Sequence, residues 1–360
     1  MNIDINNLPL PKPLVDYDDE RKKALRASKN RKTNYEKYQI SKRDYSLDYL
    51  PLKLDIENVS RCNFHCSKCQ VSGWSGNKRA EDLSLNNFKL LIDSINSLIE
   101  IKIQGMGEPL LGSDTFFDMI SYARSKHIWV RTSTNASLLH VNNNYEKLIE
   151  SDPCEIQISI DGADSETYNS IRKGGNFERV KENCKLINRF CEKKNLLKTR
   201  MWVCLEKRNI SQISLFVELA KKLSFRRLTY AVDLHGWGQK QFFDKNDELS
   251  IKNNITEDDA FEIVEIGKKN DVEVTFWSNI NRFEKNDISK LCPWPFERSF
   301  ISSDMKIVPC CMIANPEIIN FGKASSFVDI WNNYDYQKFR KDHLEGNIPD
   351  VCKKCYINGG

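Results

Sequence analysis

The chain has 360 residues, 40% of them hydrophobic and 29% charged, with only 15 Gly and 11 Pro. That composition suits a globular protein of roughly two domains and excludes hormone-like, collagen-like, low-complexity and wholly disordered classes. Basic residues exceed acidic ones by 54 − 50 = 4, too small a surplus for a dedicated nucleic-acid binder.

No apolar run approaches the roughly 20 residues of a bilayer span, and Met1 is followed by Asn, Asp and Pro rather than by a signal sequence. The expected location is cytoplasmic, with no membrane partner. Cysteine is the anomaly. Twelve thiols in a chain read as unsecreted point to metal or redox chemistry rather than to a disulfide framework.

Taken in chain order, residues 1–50 form a basic arm carrying Arg21, Lys22, Lys23, Arg26, Lys29, Arg31 and Lys32. It reads as a packed strap or a mobile tail with one helix. From Leu52, short β-like runs alternate with amphipathic helical patterns: 52–57, 100–106, 128–134, 155–161, 200–205 and 226–232. Such alternation produces parallel strands joined by crossover helices. Ser84 is placed to cap the helix predicted over 83–98. Six strands are fewer than the eight of a closed barrel. The expected fold is therefore α/β, a partial (β/α)6 TIM-type barrel over residues 51–280.

Residues 281–360 form a small α+β domain with a hairpin over 299–311, a helix over 326–344 and a closing C-x2-C. It has too few apolar residues for a core of its own, and a metal crosslink supplies the difference.

Cys62, Cys66 and Cys69 give C-x3-C-x2-C on the loop after the first strand. Three thiolates on a four-iron cubane leave one iron open to a small molecule. Zinc held by these three and His65 competes, although His65 adjoins Cys66. At the rear, Cys292 precedes Cys310 by 18 positions, and Cys352 and Cys355 follow. Four thiolates can close a second cubane or a zinc ribbon, and spacing leaves both open. Cys154, Cys184, Cys191 and Cys204 lie among apolar neighbours and read as small buried hydrophobes.

Further segments follow the front motif in order: Gly105-Met106-Gly107-Glu108-Pro109, Thr132-Ser133-Thr134-Asn135, Ser159-Ile160-Asp161-Gly162, then Tyr168, Arg172 and Gly174-Gly175. Together with C-x3-C-x2-C they resemble the radical S-adenosylmethionine superfamily. The resemblance implies that S-adenosylmethionine chelates the open iron of a [4Fe–4S] cluster and is cleaved to a hydrogen-abstracting 5′-deoxyadenosyl radical.

It also implies residue roles. Gly107 and Glu108 would bind the methionyl amino group, and Thr134 and Asn135 would belong to the cofactor site, with Ala136 where a Gly is usual. Ser159 and Asp161 would lie near the ribose and Arg172 at the carboxylate. Lys68 replaces an aromatic residue common before the third cysteine, which leaves adenine contacts to Phe64 or Val203.

The rear segments, Cys292-Pro-Trp, Val308-Pro-Cys-Cys, Ile330-Trp-Asn and Phe339-Arg with the final C-x2-C, resemble the SPASM or Twitch auxiliary-cluster domain. This implies a second, closed [4Fe–4S] cluster on Cys292, Cys310, Cys352 and Cys355, with Cys311 spare.

The layout resembles aminocyclitol dehydrogenase-like members. It implies a radical oxidoreductase acting on a sugar, aminocyclitol or similar polar small molecule, with the auxiliary cluster accepting an electron and a flavodoxin or ferredoxin as reducing partner. Asp233, His235, Trp237, Arg226, Arg227 and Trp277 are expected at the C-terminal mouth of the barrel, where His235 would take the carbinol proton. Cys204 or Cys154 would return a hydrogen atom in an epimerase. Two other readings stand: a maturase modifying a ribosomally made peptide, and a non-enzymatic zinc-binding interaction protein whose basic arm touches nucleic acid.

Overall fold

Alternating βα units wind one sheet. The computed structural model describes residues 7–14, 17–251, 255–278 and 281–357. Residues 1–6 and 15–16 of the arm lie outside the described residues, as do residues 279–280, where the second expected boundary falls.

Helices α1 (Tyr17–Ala27) and α2 (Lys29–Ile40) lead into β1 (Lys53–Ile56). The repeat continues through α3 (Leu85–Ser94), β2 (Glu100–Ile103), α4 (Ser113–Ser125), β3 (Trp129–Thr134), α5 (Asn144–Glu150) and β4 (Glu155–Ser159). Then come α6 (Ser165–Ile171), α7 (Phe177–Lys193), β5 (Thr199–Cys204), α8 (Ile213–Lys222) and β6 (Arg227–Ala231). After them follow α9 (Lys240–Leu249), α10 (Glu257–Lys269), β7 (Glu273–Trp277), α11 (Trp294–Glu297), β8 (Arg298–Ile301), β9 (Ile307–Val308), α12 (Phe327–Ile330) and α13 (Tyr334–Leu344).

All six predicted strands are present, each parallel to its neighbour. The sheet extends past them: β7 joins β6, β8 runs parallel to β1, and β9 turns back antiparallel on β8. Its order is β7-β6-β5-β4-β3-β2-β1-β8-β9, open at both edges. This is the expected α/β partial barrel, with the first strand of the C-terminal region built into the barrel sheet.

Strand side chains alternate between faces. Leu54, Ile56, Ile101, Ile103, Val130, Ile156, Ile158, Met201, Val203 and Leu228 belong to the apolar core shared with the helices. Their alternates, among them Asp55, Lys102, Arg131, Gln157, Arg200 and Thr229, line the inner face. Parallel strands usually read as continuous apolar runs because both faces are buried; this barrel instead encloses a charged interior.

The arm is a strap with two helices rather than one. Ala24 packs with Leu52 and Ile99, and the buried Arg31 donates to the carbonyls of Ala24 and Lys126 at 3.0 and 3.1 Å. Residues 9–14 run from the outer edge of β7 to beneath the N-terminal ends of β4, β5 and β6. Pro9 O accepts from Phe276 N at 2.8 Å, Lys12 O from Arg200, and Pro13 O from Arg227 at 3.3 Å, while Leu14 N donates to Glu155 at 3.2 Å.

The helix predicted over 83–98 is capped by Ser84 as expected but stops at Ser94. The helix predicted over 326–344 is two helices, because the Asn333 side chain accepts from Tyr336 N and starts α13 afresh. Among the described residues no helix is long and apolar enough to cross a membrane.

Glu100 faces Arg131, Lys53 and Arg298 at 3.3, 3.5 and 3.8 Å and accepts from the Tyr17 hydroxyl at 3.0 Å. Burial pushes its pKa up, but the three cations and the hydroxyl outweigh it and hold the carboxyl at about 2. A folded pKa below the unfolded value of about 4.3 adds stability that is complete above that value and is lost as pH falls toward the folded one. Glu100→Gln should therefore lower the urea midpoint at neutral pH and shrink the further loss on acidification to about pH 3. Arg200→Met should speed amide hydrogen exchange in residues 7–14 while leaving α3 protected, measured by mass spectrometry.

Candidate active site

Between β1 and α3 the chain leaves the sheet on a loop that is fastened at both ends. Arg61 and Lys78 form an antiparallel bridge, Cys62 N donates to Asn77 O at 3.3 Å, and Arg61 forks onto Asp82 at 2.6 and 3.1 Å. Cys69 N donates to Cys66 O at 3.0 Å, curling the C-x2-C turn. The Cys62, Cys66 and Cys69 thiols lie within electrostatic reach of one another. Burial, then Glu108 and the other two thiols, push Cys62 up to about 12. Burial, with Cys66 adding to it, pushes Cys69 to about 12. His65 is exposed and its ring nitrogens lie 2.8 and 3.2 Å from Asn77 Nδ2. It is therefore not placed as a fourth ligand beside the thiols.

The end of β2 presses against this loop. A Cβ on Gly105 would lie 2.2 Å from Glu57 Cγ, and one on Gly107 would lie 2.4 Å from the carbonyls of Val59 and Arg61. Glycine is what that approach requires. Glu108 is 3% exposed; its carboxylate accepts from Thr134 Oγ1 at 2.6 Å, Asn135 N at 2.7 Å and Leu110 N at 3.3 Å. A carboxylate offers about four lone-pair positions, so one remains for an ammonium donor. Asn135 Nδ2 donates to Asn63 Oδ1 at 3.0 Å, joining the end of β3 to the cysteine loop. Ala136 takes a left-handed backbone, φ 62°, the conformation in which Gly is the usual residue.

Asp161, just beyond β4, is fully buried and gathers four donor atoms from three residues. It accepts from Cys204 N at 2.8 Å and Arg172 Nε at 3.0 Å, and pairs with Arg172 Nη2 and Lys68 Nζ, both at 2.9 Å. Burial would raise its pKa, but Arg172 and Lys68 hold it below the usual carboxylate range. Lys68 also pairs with the buried Glu206 at 3.5 Å. The lysine that stands in the aromatic position is thus a clamp between the cysteine loop and the ends of β4 and β5.

Cys204 departs from its expected role as a buried hydrophobe. It is half-buried, within reach of Lys68, Asp161 and Arg172. Val203 faces the helices within the main core, so it is turned away from any adenine in the barrel. Phe64 is buried and would meet a Cβ on Gly175 at 3.1 Å. Ser159 ends β4 and is half-buried.

At the rear, burial raises the Cys292 and Cys352 pKa values, and each is raised further by Cys310 and Cys355. Burial and Cys355 push Cys310 up to about 12. Cys292, Cys310, Cys352 and Cys355 thus form one group. Cys311 lies beside this group, toward the inner face of the barrel: after burial its strongest neighbours are Asp55, Cys310 and Lys102, and it also raises Cys355. The two groups are linked. Gln70, next to Cys69, donates to Met106 Sδ at 2.9 Å and to Ile313 O at 3.2 Å, and accepts from Gln239 at 3.0 Å.

His235 lies in the same chamber. Burial holds its imidazole below the usual pKa, Asp233 opposes this, and Lys102 and Lys68 add to it. Its Nδ1 is buried without a hydrogen-bond partner. Asp233 is bonded by Ser278 Oγ at 2.7 Å and lies within reach of Cys355. Trp237 Nε1 donates to Lys68 O at 3.3 Å. Arg226 and Arg227 lie not at the mouth but at the opposite end of the barrel, Arg226 just before β6 and exposed, Arg227 its first residue and paired with Glu273 at 3.0 Å.

Among the described residues no three His, Cys, Asp or Glu side chains are arranged to hold a metal ion. A cubane's ligands sit on separate irons, and groups of three and four thiols are what one open and one closed cubane require. With such clusters in both groups, Cys310→Ser should take iron from about eight to about four per chain, whereas Cys311→Ser should leave it near eight.

Residues 58–220 match the model of the radical SAM superfamily, and residues 292–356 match the SPASM iron-sulfur cluster-binding domain. Mycofactocin maturase MftC of Mycolicibacterium smegmatis is 30% identical over 176 residues, 48% of this chain and 42% of that protein. The matched stretch thus spans less than half of the maturase. The AdoMet-dependent heme synthase of Methanosarcina barkeri is 26% identical over 330 residues, covering 85% of this chain and 88% of that one. Streptococcus suis SuiB bound to precursor peptide SuiA shares the fold, with a TM-score of 0.61 over 86% of this chain and 69% of that one at 17% identity. The cofactors of these two domains are S-adenosylmethionine and [4Fe–4S] clusters. The chain is a radical S-adenosylmethionine enzyme with a C-terminal SPASM domain.

Proposed function

We propose that this enzyme is a peptide maturase that removes hydrogen from a peptide and oxidises it by two electrons. The observation that carries the reading is the arrangement of the thiol groups around one charged chamber. Cys62, Cys66 and Cys69 border it beside the Glu108 and Asp161 cradles, while Cys355 approaches it through Asp233. A substrate in the chamber would lie between the two.

Cys62, Cys66 and Cys69 would hold the open cluster and Cys292, Cys310, Cys352 and Cys355 the closed one. When bound, S-adenosylmethionine at a reduced cluster supplies a hydrogen-abstracting radical, and the auxiliary cluster supplies an electron sink. The chain's own residues position and shield. Gly107 admits the cofactor's methionyl end close to the backbone, and the free lone pair of Glu108, beside Thr134 and Asn135, takes its ammonium. Ser159 and Asp161 face the ribose. Arg172 spends two of its five N–H donors on Asp161 and keeps the rest for the carboxylate. His235, held neutral by burial, takes the proton released on oxidation.

A peptide substrate is supported by the likeness to a maturase and to a fold-mate bound to a precursor peptide. A flavodoxin or ferredoxin supplies the first electron, and twelve cysteines without a disulfide suit a reducing cytoplasm.

The test incubates reduced, cluster-loaded enzyme and S-adenosylmethionine with peptide pools and, separately, with sugars and aminocyclitols. Peptides are expected to raise 5′-deoxyadenosine and to lose two hydrogen atoms by mass. Stimulation by sugars or aminocyclitols alone would overturn the peptide reading in favour of the small-molecule oxidation expected from the sequence.

A further inference from the structure

The inner face of the barrel pairs its charges closely, with one exception. Glu100 is met by Lys53, Arg131 and Arg298, Glu155 by Arg200 at 3.3 Å, and Glu57 by Arg79 at 3.3 Å. Lys102 on β2 makes no hydrogen bond with the described residues and has no carboxylate among them within 4.0 Å. It is half-buried rather than solvated.

Its neighbour across the ladder makes this more costly. Lys102 registers directly opposite Arg131 on β3 and, on its other side, Asp55 on β1; like charges facing each other on adjacent strands destabilise a sheet, and Asp55, which also faces Arg298 at 3.8 Å, offsets this only in part. Arg131 is only partly satisfied: Nη2 reaches Glu100 at 3.3 Å, while its Nε is buried without an acceptor. One step toward the mouth stand the neutral groups Gln104 and Ser133, bonded to each other. Strands run about 4.8 Å apart, a gap that one carboxylate can bridge with its two oxygens. An anion there would neutralise the surplus charge, give the Arg131 Nε an acceptor and rest beneath His235, whose imidazole senses Lys102.

We propose that Lys102 and Arg131 form the seat for a carboxylate of the substrate at the floor of the chamber. The seat rests on the maturase reading only for the identity of the carboxylate's owner, a peptide C-terminus or an acidic side chain. Burial and the adjacent Arg131 lower the Lys102 pKa to about 8 against the opposing pull of Asp55, Cys311 and Glu155, none of which makes a contact ion pair with it. Lys102 serves as a specificity determinant.

The experiment uses cluster-loaded, unreduced enzyme with S-adenosylmethionine and random hexapeptide pools. The pools are matched as C-terminal acid against amide, and as internal Glu against Gln, and retained peptides are quantified by mass spectrometry. One acidic pool is expected to be retained about ten-fold or more over its neutral partner. Which pair shows the preference tells a C-terminal from a side-chain carboxylate. Lys102→Arg should keep the preference and Lys102→Met should abolish it.

Glutarate is the second probe, read as protection of Lys102 from acetic anhydride in the wild-type enzyme, so a misfolded variant cannot hide the answer. Protection by glutarate with no peptide retained would keep the seat and remove the peptide reading. Absence of any carboxylate preference together with no glutarate protection would overturn the seat, whether or not peptides bind. A preference unchanged in Lys102→Met would overturn it too.

Discussion

The ion cluster around Asp161 is the interaction on which the site depends. One buried carboxylate holds the cysteine loop through Lys68, the segment after α6 through Arg172, and β5 through the amide of Cys204. Removing one cation would leave the buried carboxylate to the other alone, and removing both would leave it unpaired, the costly half of a buried salt bridge. Glu108 does the same at the neighbouring strand pair, tying the ends of β2 and β3. Strand-end carboxylates therefore do structural service, tying the loops at this end of the sheet together.

A charged barrel interior has to be closed at its far end and matched within. The arm meets the first need by passing its carbonyls beneath Arg200 and Arg227. Ion pairs along β1, β2, β5 and β8 meet the second. Stability and function diverge at Lys102, which Arg131 faces across the ladder and which has no carboxylate within 4.0 Å among the described residues. A sheet selected for stability alone would not keep that pair, and a chamber selected to hold an anion would.

Much of this was legible before the structure, for physical reasons. The alternation of short β-like runs with amphipathic helical patterns located each of the six strands within a few residues. What could not be read was whatever depends on pairing across the chain. Nothing in residues 9–14 announces that their carbonyls face guanidinium groups from β5 and β6. Lys68 looked like a loss of an adenine contact and is a clamp. Val203 was assigned without regard to strand parity, which turns it toward the helices, and Arg226 and Arg227 were placed at the wrong end of β6. The edge pairing of β8 with β1 lies beyond any local pattern, since a sheet's order is set by long-range contacts.

The central claim is that this chain carries an open cluster that takes S-adenosylmethionine and a closed one that does not. Electron paramagnetic resonance of the anaerobically reduced protein, titrated with S-adenosylmethionine, addresses it directly. Two cluster signals are expected. One should shift with the cofactor and vanish in the Cys62/Cys66/Cys69→Ala variant, and the other should be indifferent to both. A single signal that ignores S-adenosylmethionine, or protein that binds zinc and no iron, would contradict the account.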